Sequence, residues 1–154
     1  DDTGTPHLRG KYEHWRPQGA WQEEQDLSDG TLRLIGLLWS MMDGSGPLLL
    51  EEPELSLHSA VVRRLPAMFA RMQAHSGRQV IVSTHSFDIF LDSGIGLDEV
   101  LILNPDVEGT KVAPASDFQE IKALLEGGAT LAEAVTPRTQ PPGIEQLTFP
   151  WGQY

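Results

Sequence analysis

Three short segments hold residues whose types and spacing could do chemistry: Leu27-Ser28-Asp29-Gly30-Thr31, then Leu48-Leu49-Leu50-Glu51-Glu52-Pro53-Glu54, then Ser83-Thr84-His85-Ser86. A Ser-Asp-Gly turn opening a helix offers backbone N–H groups and a hydroxyl, which suit a phosphate. One carboxylate can hold magnesium, a second can orient or deprotonate water, and a histidine can sense a terminal phosphate. Together the three segments read as a phosphate site. Other chemistries fit worse. Glu51 and Glu52 are adjacent, so in an extended chain they point to opposite sides and cannot flank one glycosidic bond. Ser83, His85 and Asp88 lack a G-x-S-x-G elbow, and residues two apart on a strand do not hydrogen-bond in series as a triad must. The five histidines show no zinc-ligand spacing, and a chain without cysteine has no thiolate nucleophile and no disulfide framework.

Regular elements must carry these segments. Ser28 or Asp29 is placed to cap a helix whose apolar residues Leu32, Ile35, Leu38, Trp39 and Met42 follow three-and-four spacing, with Asp43 to Pro47 ending it. Leu48-Leu49-Leu50 and Val80-Ile81-Val82 read as strands buried on both faces of a parallel sheet. Between them, Val61, Leu65, Met68 and Met72 predict one helix from Ser59 to His75, closed by Gly77. Strand, helix, strand in that order is the right-handed crossover unit, and the C-terminal ends of parallel strands share one edge. Glu51, Glu52 and His85 are therefore expected in one crevice. Further on, Val100 to Leu103 reads as a third strand, Asn104-Pro105-Asp106 as a turn, and Lys111-Val112 as a short strand. Ser116 with Gln119 and Thr130 with Glu133 have capping-box spacing and predict two short helices separated by Gly127-Gly128. The first 26 residues read as loop with one strand around Leu8 to Trp15, and the stretch beyond Pro137 as linker or tail.

Composition narrows the class. The chain has 154 residues, enough for one core, and 11 basic against 22 acidic side chains give a net charge of −11. That balance argues against a surface that is wholly a nucleic-acid or anionic-membrane footprint. No apolar run approaches the ~18 residues of a membrane span, so a soluble, cytoplasmic chain with no membrane partner is expected. The start at Asp1 without a signal region suggests a piece of a longer chain. Between Glu54 and Asp88 there is no acid, while Arg64, Arg71 and Arg78 lie seven apart with Arg63 beside the first. This is read as a solvated helix face, with a DNA-binding stripe as the alternative. His7, Arg9, Lys11, His14 and Arg16 are further candidates for touching a nucleotide or a partner.

Four motifs in this order and spacing resemble the C-terminal portion of an ABC-type P-loop ATPase, of the soluble branch that includes SMC and RecF proteins and related AAA-family ATPases of bacterial genome maintenance and phage defence. Leu27 to Thr31 is similar to the signature motif, Leu48 to Glu52 to the Walker B strand, Leu55-Ser56-Leu57-His58 to the D-loop, and Ser83 to Ser86 to the switch-histidine loop. The resemblance spans roughly Trp21 to Leu103. A membrane transporter's subunit carries Ser-Gly-Gly-Gln and Ser-Ala-Leu-Asp where this chain has Ser-Asp-Gly-Thr and Glu-Leu-Ser-Leu-His. The overcoming-lysogenisation-defect nucleases need a second α/β unit, and only about fifty residues follow Leu103.

The resemblance implies an α/β, partial P-loop NTPase fold with parallel buried strands, crossover helices and the signature helix on the N-terminal side. It implies ATP and Mg2+ as ligands and a homodimer or pseudo-dimer with ATP between subunits. Glu51 holds magnesium through water, Glu52 polarises the attacking water, and His85 contacts the γ-phosphate in its own subunit. Ser28, Asp29 and Gly30 contact the γ-phosphate held by the opposite subunit, with Ser56 and His58 at the interface. Two departures stand out. Position 51 is Glu where the wider superfamily has Asp. No G-x-x-x-x-G-K-[ST] occurs: Gly10-Lys11 is followed by Tyr12 and preceded at the required position by Thr5. Residues 1–26 are accordingly assigned to a preceding lobe, 27–136 to the ATPase-like portion and 137–154 to a tail, and the isolated chain is expected to be inactive. The expected function is ATP binding and hydrolysis in DNA repair, chromosome maintenance or phage defence, with DNA or an effector protein as a further partner. The alternative is a non-catalytic protein-interaction module that retains the fold.

Overall fold

The computed structural model describes residues 4–13, 15, 21–140 and 143. His14, Arg16 and most of the expected tail lie outside the described residues. The chain divides into two compact units, residues 1–62 with 71–83, and residues 63–70 with 84–154.

In the first unit, β1 (Arg9–Lys11) and β2 (Trp21–Glu23) form an antiparallel ladder pairing Arg9 with Glu23 and Lys11 with Trp21. The expected single strand is thus shorter, and its partner lies in a stretch read as loop. Cations on β1 face an aromatic ring on β2: the Arg9 guanidinium lies 5.4 Å and the Lys11 ammonium 5.7 Å from the Trp21 ring centre. Helix α1 (Asp29–Met42) begins as expected, with Ser28 as its N-cap, and buries Leu37 and Met41, one turn apart on one face. Strands β3 (Leu48–Glu51) and β4 (Val80–Ser83) pair in parallel, Leu48 with Val80 through Glu51 with Ser83.

The expectation that both strands are buried on both faces is not met. Leu48 is buried, but Leu49 is 70% and its register partner Ile81 49% exposed. Side chains alternate across a strand, so one face of this pair is packed and the other open. The predicted helix over 59–75 is also two helices, α2 (Ser59–Val62) and α3 (Leu65–Ser76). Pro66 is the cause. A proline lacks the N–H that a continuous helix needs and is tolerated in a first turn, so the helix stops at Val62 and restarts with Pro66 in its opening turn. Gly77 follows α3 with φ +68, the left-handed conformation of a helix-ending glycine, and its N–H reaches the Gln73 carbonyl at 2.8 Å.

The second unit contains the first residues of α3 and everything from Thr84. Its core packs Val100, Ile102, Ala115, Ile121, Leu131, Ala134 and Val135, with Phe90, Ile95, Leu97, Phe118 and Leu125 around them. Ile102, Ile121 and Val135 are almost fully buried, each worth about 2 kcal/mol of apolar transfer. The strand at 100–103 is longer than expected. β5 (Leu101–Asp106) pairs antiparallel with β6 (Gly109–Pro114), so Asn104, Pro105 and Asp106 are strand and the turn is Val107-Glu108. Proline is compatible with an edge strand, where its missing N–H breaks no ladder, and a Lys111–Asp106 ion pair closes the hairpin end. Helices α4 (Gln119–Glu126) and α5 (Leu131–Val135) follow. At α5 the capping box forms as the spacing predicts: the Thr130 hydroxyl accepts from Glu133 N at 3.2 Å, and Glu133 Oε2 accepts from Thr130 N at 2.7 Å. Before α4 it does not form. Ser116 sits inside a 3-10 turn (Ala115–Asp117), which leaves Phe118 as the N-cap without a side-chain bond.

Candidate functional site

The first unit gathers most of the predicted site residues around the start of α1 and the end of β3. Ser28 Oγ accepts from Thr31 N at 3.2 Å and lies 2.9 Å from Thr31 Oγ1, which fixes the first turn of α1. Asp29, exposed in that turn, complements the positive end of the helix dipole, so an incoming anion must share that end with its carboxylate. Gly30 makes a close approach. A Cβ built on it would lie 2.3 Å from the Ser56 carbonyl oxygen, a separation real side chains do not show. The turn that opens α1 therefore rests against the main chain of the loop after β3.

That loop is bent at two left-handed residues, Glu52 at φ +42 and Ser56 at φ +63. Each costs about 1 kcal/mol or more relative to glycine and persists because its surroundings hold it. Glu52 N donates to the Ser83 carbonyl at 2.8 Å, Leu55 N to the Glu52 carbonyl at 3.1 Å, and Leu57 N to the Glu54 carbonyl at 3.0 Å. Glu51 ends the strand and Glu52 leaves the strand geometry, and both residues line one shallow groove of about 200 Å3 with Arg33, Gly36, Leu37, Ser40, Leu50 and Pro53. Among the described residues no three His, Asp or Glu gather as a metal cluster. Two carboxylates beside a groove fit magnesium, which is held by one or two carboxylates and completes its shell with water and substrate phosphates.

His58 Nδ1 accepts from Ala60 N at 3.1 Å, so its ring caps α2. In the second unit, Thr84 Oγ1 accepts from Ser86 N at 3.0 Å, which shapes the loop carrying the exposed His85 two residues past β4. Asp88 accepts from Arg63 Nε at 2.8 Å. At least two of the four arginines are engaged within the chain: Arg63 donates to this carboxylate, and Arg78 donates to three main-chain carbonyls, Gly46 at 2.5 Å and Ser40 and Asp43 at 2.6 Å.

Residues 1–92 match the protein family described as an AAA domain, putative AbiEii toxin of a type IV TA system. This chain belongs to that AAA-domain ATPase family. A solved structure from work on ATP-driven dimerisation and DNA-stimulated activation of SMC ATPases aligns with the AAA-domain chain at TM-score 0.50 and 16% identity, covering 71% of this chain and 67% of that one. The likeness is one of fold, and with the family match it supports a P-loop ATPase of SMC/RecF-like type. No curated protein matches the sequence. The AAA-domain chain is of mixed α/β class, and among its described residues no helix is long and apolar enough to cross a membrane. Arg33 was not singled out in the sequence, although Arg33, Leu37 and Ser40 recur at helical spacing from Gly30 and mark the face of α1 that lines the groove. The Gly30–Ser56 approach and the Arg78 contacts carry no local sequence signal, because their partners lie 26 and 32 to 38 residues away.

Proposed function

We propose that these residues form the signature-to-switch portion of a dimerising ATPase that sandwiches ATP between two subunits, a partial P-loop fold whose phosphate-cradling loop is supplied outside this sequence. The observation that carries the reading is the end of β3: Glu51 and the left-handed Glu52 both line one groove that also takes in α1, the helix whose N-terminus is capped by Ser28. In this reading Glu51 holds Mg2+ through water, and the ion neutralises charge on the phosphates. Glu52 accepts a proton from the attacking water or orients it. His85 contacts the γ-phosphate in its own subunit. Ser28, Asp29 and Gly30 present the hydroxyl and N–H groups of the helix start to the γ-phosphate of the other subunit, with Ser56 and His58 at the interface. Residues 1–26 belong to the preceding lobe, 27–136 to the ATPase-like portion and 137–154 to a tail.

Hydrolysis would open the dimer and move attached domains. The family's description as a toxin of a toxin–antitoxin system supports a defence setting, and the SMC neighbour, studied for DNA-stimulated activation, supports DNA repair or chromosome maintenance. The test is Glu52→Gln in the complete protein. It is expected to bind ATP, to slow hydrolysis by at least about a hundredfold, and to accumulate the closed dimer on a sizing column. Normal turnover would remove Glu52 from its role.

A second reading, a non-catalytic protein-interaction module, is favoured by the large exposed apolar side chains, with Trp39 70% and Met42 88% exposed on one face of α1. Nucleotide titration with the upstream lobe present separates the two. Magnesium-dependent ATP binding and dimerisation support the ATPase, and their absence supports the module.

A further inference from the structure

We propose that Gly30 is a positioning residue for Glu52, acting in its own chain through the backbone of Ser56. The inference deepens the ATPase reading and rests on it for the role of Glu52. That reading gives Gly30 one task, to let the helix start approach a phosphate held by another subunit. The structure supplies a different reason for glycine here. Its missing side chain is where the Ser56 carbonyl sits: a Cβ would lie 2.3 Å from the oxygen, 3.3 Å from the carbonyl carbon and 3.8 Å from Leu57 Cδ2. No real Cβ contact is shorter than 3.0 Å, so any other residue at position 30 must push this carbonyl away by at least about 0.7 Å.

The displaced atom belongs to a short, tense segment. Ser56 is left-handed at φ +63 with an exposed side chain, so its main chain rather than its side chain makes the contact with α1. Four residues earlier Glu52 is left-handed at φ +42. Two overlapping turns, Leu55 N to Glu52 O and Leu57 N to Glu54 O, connect them. One end of this segment is tied to β4 by the Glu52 N–H on the Ser83 carbonyl, and the other is wedged against Gly30. Two left-handed residues do not hold their conformation unaided. Moving the wedge releases Ser56, then the turns, then the left-handed backbone of Glu52 at the groove it lines with Glu51.

The effect is present without nucleotide, which separates it from phosphate contact. In the nucleotide-free complete protein, Gly30→Ala is expected to speed hydrogen exchange of the Leu55 and Leu57 amides by about tenfold or more. Ser56→Val disturbs the same contact from the loop side, since a β-branched residue resists positive φ, and adds its side chain at an exposed position. It is expected to do the same, and reports if Gly30→Ala does not fold. Exchange within about twofold of wild type in the folded variants overturns the proposal.

Turnover gives the second readout. Gly30→Ala should lower kcat about tenfold while KM for ATP stays within about threefold. Adding Ser56→Gly, which lets the carbonyl swing clear of the new methyl, should restore at least about fivefold of the loss. Strictly additive effects refute the coupling. A wild-type protein that neither binds nor hydrolyses Mg-ATP would overturn the ATPase reading by itself, and the exchange measurement would still decide the Gly30–Ser56 contact.

Discussion

Arg78 offers the sharpest stability test, because one side chain serves three carbonyls. Its guanidinium donates to Ser40 O and Asp43 O at 2.6 Å and to Gly46 O at 2.5 Å. Ser40 O belongs to the last turn of α1, where carbonyls have no partner within the helix, and the positive charge also suits that end of the dipole. A hydrogen bond to a charged group contributes about 1.5–3 kcal/mol net, but the three are not worth three times that. The Asp43 and Gly46 contacts are exposed, so water replaces the guanidinium there once the side chain is removed, whereas the Ser40 contact is half-buried. Arg78→Ala is therefore expected to cost about 2–3 kcal/mol in total. Arg78→Lys keeps the charge but not the fork, cannot reach all three carbonyls, and should lose about half as much. Arg64→Ala, an exposed neighbour in the same basic series, should stay within about 0.5 kcal/mol of wild type. Urea unfolding of the three variants at constant m reads the differences as midpoint shifts. If Arg78→Ala unfolds at the same midpoint as Arg64→Ala, the guanidinium is not the clamp described.

Two further predictions concern the second unit. Thr130→Ala removes one half of the α5 capping box and should lower stability by about 1 kcal/mol, read as a urea midpoint shift that Thr130→Ser does not show. Acid should weaken this unit in a defined direction. The Thr130 main-chain N–H, then its hydroxyl, hold the Glu133 carboxyl below the ordinary carboxylate range, and Lys111, then Val107 N, do the same for Asp106. A carboxyl whose folded value is depressed stabilises the fold fully above the unfolded value, and that contribution is lost as pH falls through the ordinary range to the depressed one. Unfolding midpoints should thus be flat near about pH 7 and fall below about pH 4, with a smaller fall in Glu133→Gln. An equal fall in that variant would count against the assignment.

Local signals were legible in the sequence and distant ones were not. Ser28 and Thr130 declared their caps because a cap is written in three or four consecutive residues, and the two parallel strands declared themselves as short apolar runs beside turns. The break before α3 was written too, in Pro66, but the apolar spacing across it masked the missing N–H. Pro105 misled in the opposite sense, because turn chemistry and an edge strand both accept it. Exposure could not be read at all: Leu49 and Ile81 have the residue types of a two-sided core, and which face is covered depends on chain beyond their own strand pair. At the candidate site the left-handed conformation of Glu52 was not legible, since glutamate carries no left-handed signature.

The left-handed backbone at Glu52 also bears on how this position can change over generations. Glycine, asparagine and aspartate accept that conformation more readily than glutamate, and β-branched residues scarcely at all. An exchange from glutamate to glycine or asparagine here relieves the backbone while removing the carboxylate, whereas aspartate relieves it and keeps a shorter acid, so under the role proposed for Glu52 only the first two set stability against chemistry. A lineage that gave up hydrolysis would be drawn toward glycine or asparagine at position 52 by folding alone.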